Sequence, residues 1–333
     1  MHTSGSDGAA APDEVRFSLI MPAYNAEATI SRAIESVMAQ DYRGWELIVV
    51  DDGSSDATGD IAREYARRDS RIRVLTQDNQ GCASARRAGA QTARGEFVTK
   101  IDADDYLLSG ALATLSESID AQPQFDIYSA HGYREFSDGS RVDVFGDPIF
   151  SKPLSLVLDD LIDECWIFGG GASIRRKTLE RIGGFRAEMR CEDYDLWLRA
   201  LAAGARHRYI PARIYVWSMG VPGRMNENPI PSFQSYITIL QDLIARGVIT
   251  GSHVDRARAA MAKFAERIRQ LEETGTTDAD YTNEQARRFK DAVNRLSGKR
   301  LGGAVILAAD RVKWVVKPIR VNLALRKRLK DGR

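Results

Sequence analysis

From Arg16 onward the chain alternates short apolar runs with segments whose apolar residues recur at helical spacing. Residues 17–21 form an apolar run ended by Pro22, and residues 27–39 carry Ile30, Ile34 and Val37 on one helical face, which predicts a first strand and helix. Residues 45–50 read as a second, fully buried strand. Asp51, Asp52, Gly53, Ser54 and Ser55 turn the chain, and residues 61–68 predict a helix with Ser or Asp available as a cap. A third strand over 72–75 leads through a polar turn into an alanine-rich helix over 82–93. Gly95 then opens a fourth strand over 96–101.

Strands alternating with helices predict a parallel sheet, and such sheets bind ligands beyond the carboxyl ends of their strands. The segments that follow the four strands are 22–25, 51–53, 79–86 and 102–105. The unusual polar residues are therefore expected on one edge of one sheet. After Ser109 the rhythm changes. Residues 126–136 and 141–145, joined by Ser137-Asp138-Gly139-Ser140, predict a hairpin that makes the sheet mixed. Gly169-Gly170-Gly171 is expected to let the backbone approach a ligand closely, and Glu192-Asp193 to open a helix bearing Leu196, Ala200 and Leu201 on one face. Residues 231–298 read as a charged helical extension.

Composition narrows this picture. The 333 residues are 44% hydrophobic, enough for a large α/β domain with an appendage. A formal net charge of +1 gives no global field that would recruit nucleic acid. Cys82, Cys165 and Cys191 have neither zinc-site spacing nor an even count, so they read as free thiols of a reducing compartment. No apolar run approaches the ~18 residues of a spanning helix, and residues 1–14 lack a signal-peptide core. A cytoplasmic protein with a disordered lead over 1–14 is expected.

The candidate chemistry centres on Asp102-Ala103-Asp104. Two carboxylates two residues apart at a strand end are expected to project to one side. Hard oxygen ligands suit Mg²⁺ or Mn²⁺, which completes its shell with water and substrate phosphates. A lone Asp-x-Asp is also a common solvated turn; the added Asp105 and the strand-end position favour the metal reading. At the first strand end Pro22, Ala23, Tyr24 and Asn25 offer an aromatic face for a base, and at the second Asp51-Asp52 offers a carboxylate to accept an imide N–H such as that of uracil. Both segments are equally compatible with ordinary β-α turns. Arg86 or Arg87 suits phosphate through a guanidinium fork, although either also fits a solvated helix face. Glu192-Asp193 suits a general base, or simply the preference of helix starts for acidic residues.

Taken together, Ser18 to Asn25, Val49 to Asp56, Gly81 to Arg86, Gly95 to Asp105, and Gly183-Gly184-Phe185 followed by Glu192 to Trp197 resemble the family 2 glycosyltransferases. The resemblance covers about residues 16–225. It implies an α/β GT-A fold, a Rossmann-like mixed sheet flanked by helices, here with a helical C-terminal extension. The catalytic domain would span 15–230, with a nucleotide-sugar half over 15–109 and an acceptor-side half over 110–230.

The resemblance also implies inverting transfer of one sugar from a nucleoside-diphosphate sugar, with Mn²⁺ or Mg²⁺ as cofactor and a glycan or lipid-linked hydroxyl as acceptor. Carried over by position, Tyr24 would stack on the base, Asp52 would bind its imide, and Arg86 would lie near the nucleotide. Pro22, Ala23, Asn25, Glu27, Gly81, Ala103 and Glu192 would complete the donor cradle. Asp104 would ligate the metal, Asp102 would hold ribose or metal, Asp105 would lie near the donor sugar, and Asp193 would be the base. The chain departs from the family pattern at Arg87, where many relatives have Asn. It also has no histidine over 216–223, where some relatives place a metal contact. A Gln-x-x-Arg-Trp signature of processive synthases is absent, which favours single-sugar transfer.

A basic segment over 299–333 carries Val305, Val312, Val315, Ile319 and Leu323 near helical spacing, interrupted at Pro318. Such a stripe fits peripheral binding to an anionic membrane surface, and equally a terminal helix packed on the catalytic domain. Two other functions share the same acidic strand ends: a catalytically silent sugar-nucleotide-binding module, and a metal-dependent nucleotidyltransferase. The latter lacks a glycine-rich, lysine-bearing triphosphate loop. The first strand is likewise not followed by the Gly-x-Gly-x-x-Gly of an NAD-dependent oxidoreductase.

Overall fold

Every residue of β1 (Phe17–Ala23) is buried, because both faces of this apolar run are covered by helices. The computed structural model describes residues 15–143, 155–163, 165, 167, 170–219 and 230–274, all within one structural unit. The lead over 1–14, the tail over 299–333, and residues 275–298 of the expected extension lie outside the described residues.

β1 pairs in parallel with β2 (Trp45–Asp51) on one side and β4 (Phe97–Lys100) on the other, and β2 pairs in parallel with β3 (Ile72–Thr76). Helices α1 (Ile30–Met38), α2 (Thr58–Arg68) and α3 (Cys82–Gln91) connect them. Alternation along the strands divides the core in two. Leu19, Met21, Leu47 and Val49 pack with α1 and α2 residues such as Ile34 and Ala62. Ile20, Ile48 and Val50 face α3 through Ala85. Gly89 allows α3 to lie this close, since a Cβ there would stand 2.6 Å from the Ile20 side chain.

Beyond β4 the sheet turns mixed, in the order β3-β2-β1-β4-β8-β6-β9-β5. β8 (Ser173–Arg175) runs antiparallel to both β4 and β6 (Ile127–Glu135), while β6 runs parallel to β9 (His207–Ser218). The short β5 (Tyr106–Leu107) joins the far edge by pairing with β9. The expected hairpin is present as β6 with β7 (Arg141–Asp143), pairing Glu135 with Arg141. In chain order α4 (Ala111–Ala121) lies between β5 and β6, α5 (Leu158–Asp163) between β7 and β8, and α6 (Arg176–Arg181) and α7 (Glu192–Ala202) between β8 and β9.

Two expectations need correction. β4 stops at Lys100, and Asp102 to Asp105 form a turn in which the Asp105 N–H donates to the Asp102 carbonyl at 3.1 Å. Strand periodicity therefore does not set the directions of Asp102 and Asp104. The glycines near 170 serve packing rather than a ligand: a Cβ on Gly170 would lie 2.0 Å from the Tyr215 ring, and Gly171 has φ +71° beside Ile214. Gly169 lies outside the described residues.

Helices α8 (Ile230–Ala245) and α9 (Ser252–Thr274) share a core with α7, in which Phe233, Leu240 and Phe264 join Tyr194 and Leu198. No helix among the described residues is long and apolar enough to cross a membrane.

Candidate active site

Four loops meet at the carboxyl ends of β1, β2, β3 and β4. The chain leaves β1 through buried Pro22 and Ala23, whereas Tyr24 is 52% exposed and presents its ring to solvent. Asn25 adopts a left-handed φ of 48°. Its side-chain oxygen accepts from the Ser55 N–H at 2.9 Å, and Glu27 accepts from the Ala57 N–H at 3.0 Å. Both side chains thus tie the first loop to the second.

Asp52 is buried at the end of β2, where its carboxylate accepts three hydrogen bonds from the β3–α3 loop. The donors are the Gln77 side-chain amide at 2.7 Å, the Gln80 N–H at 3.0 Å and the Gly81 N–H at 2.8 Å. Gly81, with φ +86°, is the N-cap of α3. Asp52 therefore fixes the path of the chain into α3.

One turn into that helix, Arg86 is buried and divides its guanidinium between Asp102 of the carboxylate turn and Glu192 of α7. Arg87 is exposed. Lys100, the last residue of β4, places its Nζ 3.1 Å from Glu192 Oε1 and 3.5 Å from Asp193 Oδ2. Burial and the neighbouring Arg86 favour the neutral amine, but Asp193, Glu192 and Asp102 outweigh them, and the lysine pKa is raised. The result is a continuous chain of opposite charges, Asp102, Arg86, Glu192, Lys100 and Asp193, across α3, α7, β4 and the turn that follows β4.

The turn itself has a buried floor and a more open rim. Ala103 and Asp105 are buried, while Asp102 and Asp104 are half-buried. Asp105 accepts from the Tyr215 hydroxyl and from the Ser218 N–H at 3.0 Å, so its side chain is engaged by β9. Burial, followed by the Asp105 charge, raises the Tyr215 pKa and keeps its phenol a donor. The expectation that Asp105 lies near a donor sugar thus meets a side chain turned into the sheet.

Asp193 is the more open member of the acidic pair, 30% exposed at its side chain, whereas Glu192 is buried. Its Oδ1 accepts from the Tyr194 N–H at 2.8 Å. The helix beneath is anchored by Asp195, fully buried, which accepts from Arg186 and from Arg199 Nε at 2.9 Å. Arg186 also reaches Asp242 of α8 at 2.5 Å. The start of α7 is consequently held from both neighbouring elements.

The donor set at the turn fits a hard divalent cation, since it offers carboxylate oxygens from two half-buried aspartates and no soft ligand. No group of three or more His, Cys, Asp or Glu side chains among the described residues forms a complete protein cage. That arrangement suits an ion whose remaining positions are filled by water and phosphate oxygens. Asp104 and Asp102 would be the residues to hold it.

Sequence reasoning missed Lys100, Tyr215 and Ser218. The signal for Lys100 was present: it is the one charged residue of a strand otherwise reading Phe-Val-Thr. Nothing local pointed to Tyr215 or Ser218, which lie 110 and 113 residues from their partner.

The chain matches the family model of glycosyl transferase family 2 over residues 18–183. It is 35% identical over 190 residues to the UDP-Glc:alpha-D-GlcNAc-diphosphoundecaprenol beta-1,3-glucosyltransferase WfgD of Escherichia coli, covering 57% of this chain and 71% of that protein. The uncharacterized glycosyltransferase EpsJ of Bacillus subtilis is 42% identical over 121 residues, 36% of this chain and 35% of that one. This chain spans only 20% to 35% of the length of three such curated relatives. Among solved structures, S. aureus TarS 1-349 in complex with UDP-GlcNAc aligns with a TM-score of 0.60 and 21% identity over 76% of this chain and 72% of that one. The mannosyltransferase PcManGT from Pyrobaculum calidifontis, in complex with GDP-Man and Mn²⁺, aligns with a TM-score of 0.57 and 21% identity over 95% and 85%. The fold, a mixed sheet with its acidic turn at the parallel strand ends, is that of the GT-A glycosyltransferases. The chain belongs to glycosyltransferase family 2.

Proposed function

We propose that this protein transfers one sugar, with inversion, from a UDP-sugar to a hydroxyl of a glycan or lipid-linked acceptor in cell-surface polysaccharide or glycolipid synthesis. The observation that carries the reading is the joining of the Asp102–Asp104 turn to Asp193 through the buried side chains of Arg86, Glu192 and Lys100. The named activity of WfgD and the UDP-GlcNAc complex of TarS support the donor class. The Mn²⁺ in the PcManGT complex supports a metal-dependent reaction.

In this reading Tyr24 stacks on the base and the loop ordered by Asp52 borders it. Asp104 and Asp102 hold Mn²⁺ or Mg²⁺, which when bound neutralises charge on the departing diphosphate. Asp193 takes the proton of the acceptor hydroxyl. The acceptor oxygen bonds to the anomeric carbon as the bond to the diphosphate breaks, and the nucleoside diphosphate leaves with that electron pair. Asp105 serves by holding the turn through Tyr215 and Ser218 in place of touching the sugar. General-base work of this kind typically contributes about 10²–10⁴-fold.

The test is a screen of UDP-, GDP- and dTDP-sugars for binding and for nucleotide release with and without Mn²⁺, with Asp104→Ala as the control. Binding of UDP-sugars that depends on metal and on Asp104 is expected. Absence of binding by every donor, or binding indifferent to metal, overturns the reading. Peripheral attachment at the cytoplasmic face is proposed for the basic tail, and deletion after Gly302 is expected to abolish partitioning onto anionic vesicles.

A further inference from the structure

Lys100 has no part in the reaction described above, yet it is among the least exposed charged residues at the site, at 3%. It occupies the last paired position of β4, opposite Ile20 of β1. Replacing a whole buried ion pair by well-packed hydrophobic residues is often neutral or stabilising, although removing one partner alone is costly. Stability alone therefore does not account for a charged network, with Lys100 in it, at this place.

Its geometry does. Asp193 has one carboxylate oxygen held by the first turn of its own helix, through the Tyr194 N–H. That contact leaves the direction of the other oxygen to its surroundings. Lys100 supplies the contact, standing 3.5 Å from Asp193 Oδ2. The same ammonium bonds Glu192 Oε1, and Arg86 bonds that oxygen too while its other arm reaches Asp102. Lys100 also belongs to the strand from which the carboxylate turn emerges. The distance between base and turn is thus set through one rigid β-strand and two buried cations.

We propose that Lys100 is the positioning residue for Asp193, fixing its carboxylate relative to the Asp102–Asp104 turn so that the acceptor oxygen and the donor's anomeric carbon are brought into line. It touches neither substrate. The inference rests on Asp193 being the base of the proposed transfer, and it says which side chain aims that base. Misplacement of a reacting group by about 1 Å is enough to lower a rate by about 10²-fold.

The experiment compares wild type, Lys100→Met and Lys100→Arg in the full chain, measuring transfer kinetics and, separately, UDP binding with Mn²⁺ by calorimetry. Lys100→Met is expected to lower kcat by about 10²-fold while changing UDP affinity less than about threefold, and Lys100→Arg to recover at least about tenfold of the loss. In an Asp193→Asn background Lys100→Met should have almost no further effect, because the residue it aims has already lost its basicity. Wild-type kcat in Lys100→Met, equal losses of kcat and UDP affinity, or additive effects with Asp193→Asn would each overturn the proposal. If Lys100→Met does not fold, Lys100→Gln carries the same comparison; failure of both to fold assigns the lysine to stability and also overturns it. A wild-type protein that transfers no sugar refutes the functional reading itself, before any variant is compared.

Discussion

Tyr215 on β9 donates its hydroxyl to the carboxylate of Asp105, 110 residues earlier in the chain. This bond, with the one from the Ser218 N–H, moors the carboxylate turn to the far half of the sheet. Replacing Tyr215 with Phe leaves a buried carboxylate with fewer donors, and hydrogen bonds to charged groups are worth about 1.5–3 kcal/mol. Tyr215→Phe is therefore expected to lower unfolding stability by about that amount in a urea titration. Donor affinity should fall with it as the turn loosens; unchanged stability would show that the bond is not formed in solution.

Asp104 and Asp193 are expected to fail in different ways. Asp104→Ala should weaken metal-dependent donor binding and transfer together, since the diphosphate loses its counter-charge. Asp193→Ala should leave UDP-sugar binding close to wild type while transfer falls about 10²–10⁴-fold. Calorimetry paired with steady-state rates separates the two. Donor binding without transfer in the wild type, unchanged in Asp193→Ala, would fit instead a module that binds sugar nucleotides and catalyses nothing.

His207 gives the fold a specific acid sensitivity. Its Nδ1 accepts from the Leu156 N–H at 3.0 Å, so Nε2 carries the proton and donates to Ser129 Oγ at 2.7 Å. Burial, and then the neighbouring Arg208 charge, lower its pKa from 6.5 to about 3. Above pH 6.5 the ring is neutral in both folded and unfolded chains and nothing is lost. As pH falls from 6.5 toward 3 only the unfolded chain gains the proton, so stability declines, by about 2 kcal/mol at pH 5. Urea unfolding at pH 7, 6 and 5 should follow that slope, and His207→Gln should flatten it. Equal slopes in both proteins would place the acid sensitivity elsewhere.

The thiols flanking the site are not equivalent. Both Cys82 and Cys191 adjoin proposed site residues in the sequence, but Cys82 is exposed whereas Cys191 is buried. Desolvation pushes both thiols up to about 12, so access to the sulfur rather than its acidity separates them. Mass spectrometry after maleimide treatment of the native protein is expected to find Cys82 modified and Cys191 intact. UDP with Mn²⁺ should slow the labelling of Cys82, which begins the helix carrying Arg86; equal labelling with and without nucleotide would place Cys82 away from the donor.

Much of the parallel half of the sheet was legible because its signals are local. The predicted strand over 17–21 lies within β1, and the predicted helix over 82–93 differs from α3 by two residues at its end. The strand over 96–101 shortened to Phe97–Lys100, because the chain must turn at once to bring Asp105 under Tyr215 and Ser218. That change also removed the periodicity from which Asp102 and Asp104 were expected to point together. Gly170 was misread for a similar reason: glycine permits close approach, but only the fold reveals that the approaching group is the Tyr215 ring.

The sequence by itself determined the alternation of strands and helices, the loops that follow them, and the acidic and aromatic residues those loops carry. These follow from side-chain spacing and turn chemistry within about ten residues. Tertiary structure alone decided that Asp52 would be spent on the loop into α3, that Asp105 would face β9, and that Arg86 and Lys100 would join the turn to Asp193. Those relationships depend on distances between groups far apart in the chain. A buried charge is tolerated only where a partner arrives from another element, and no local pattern specifies which one will.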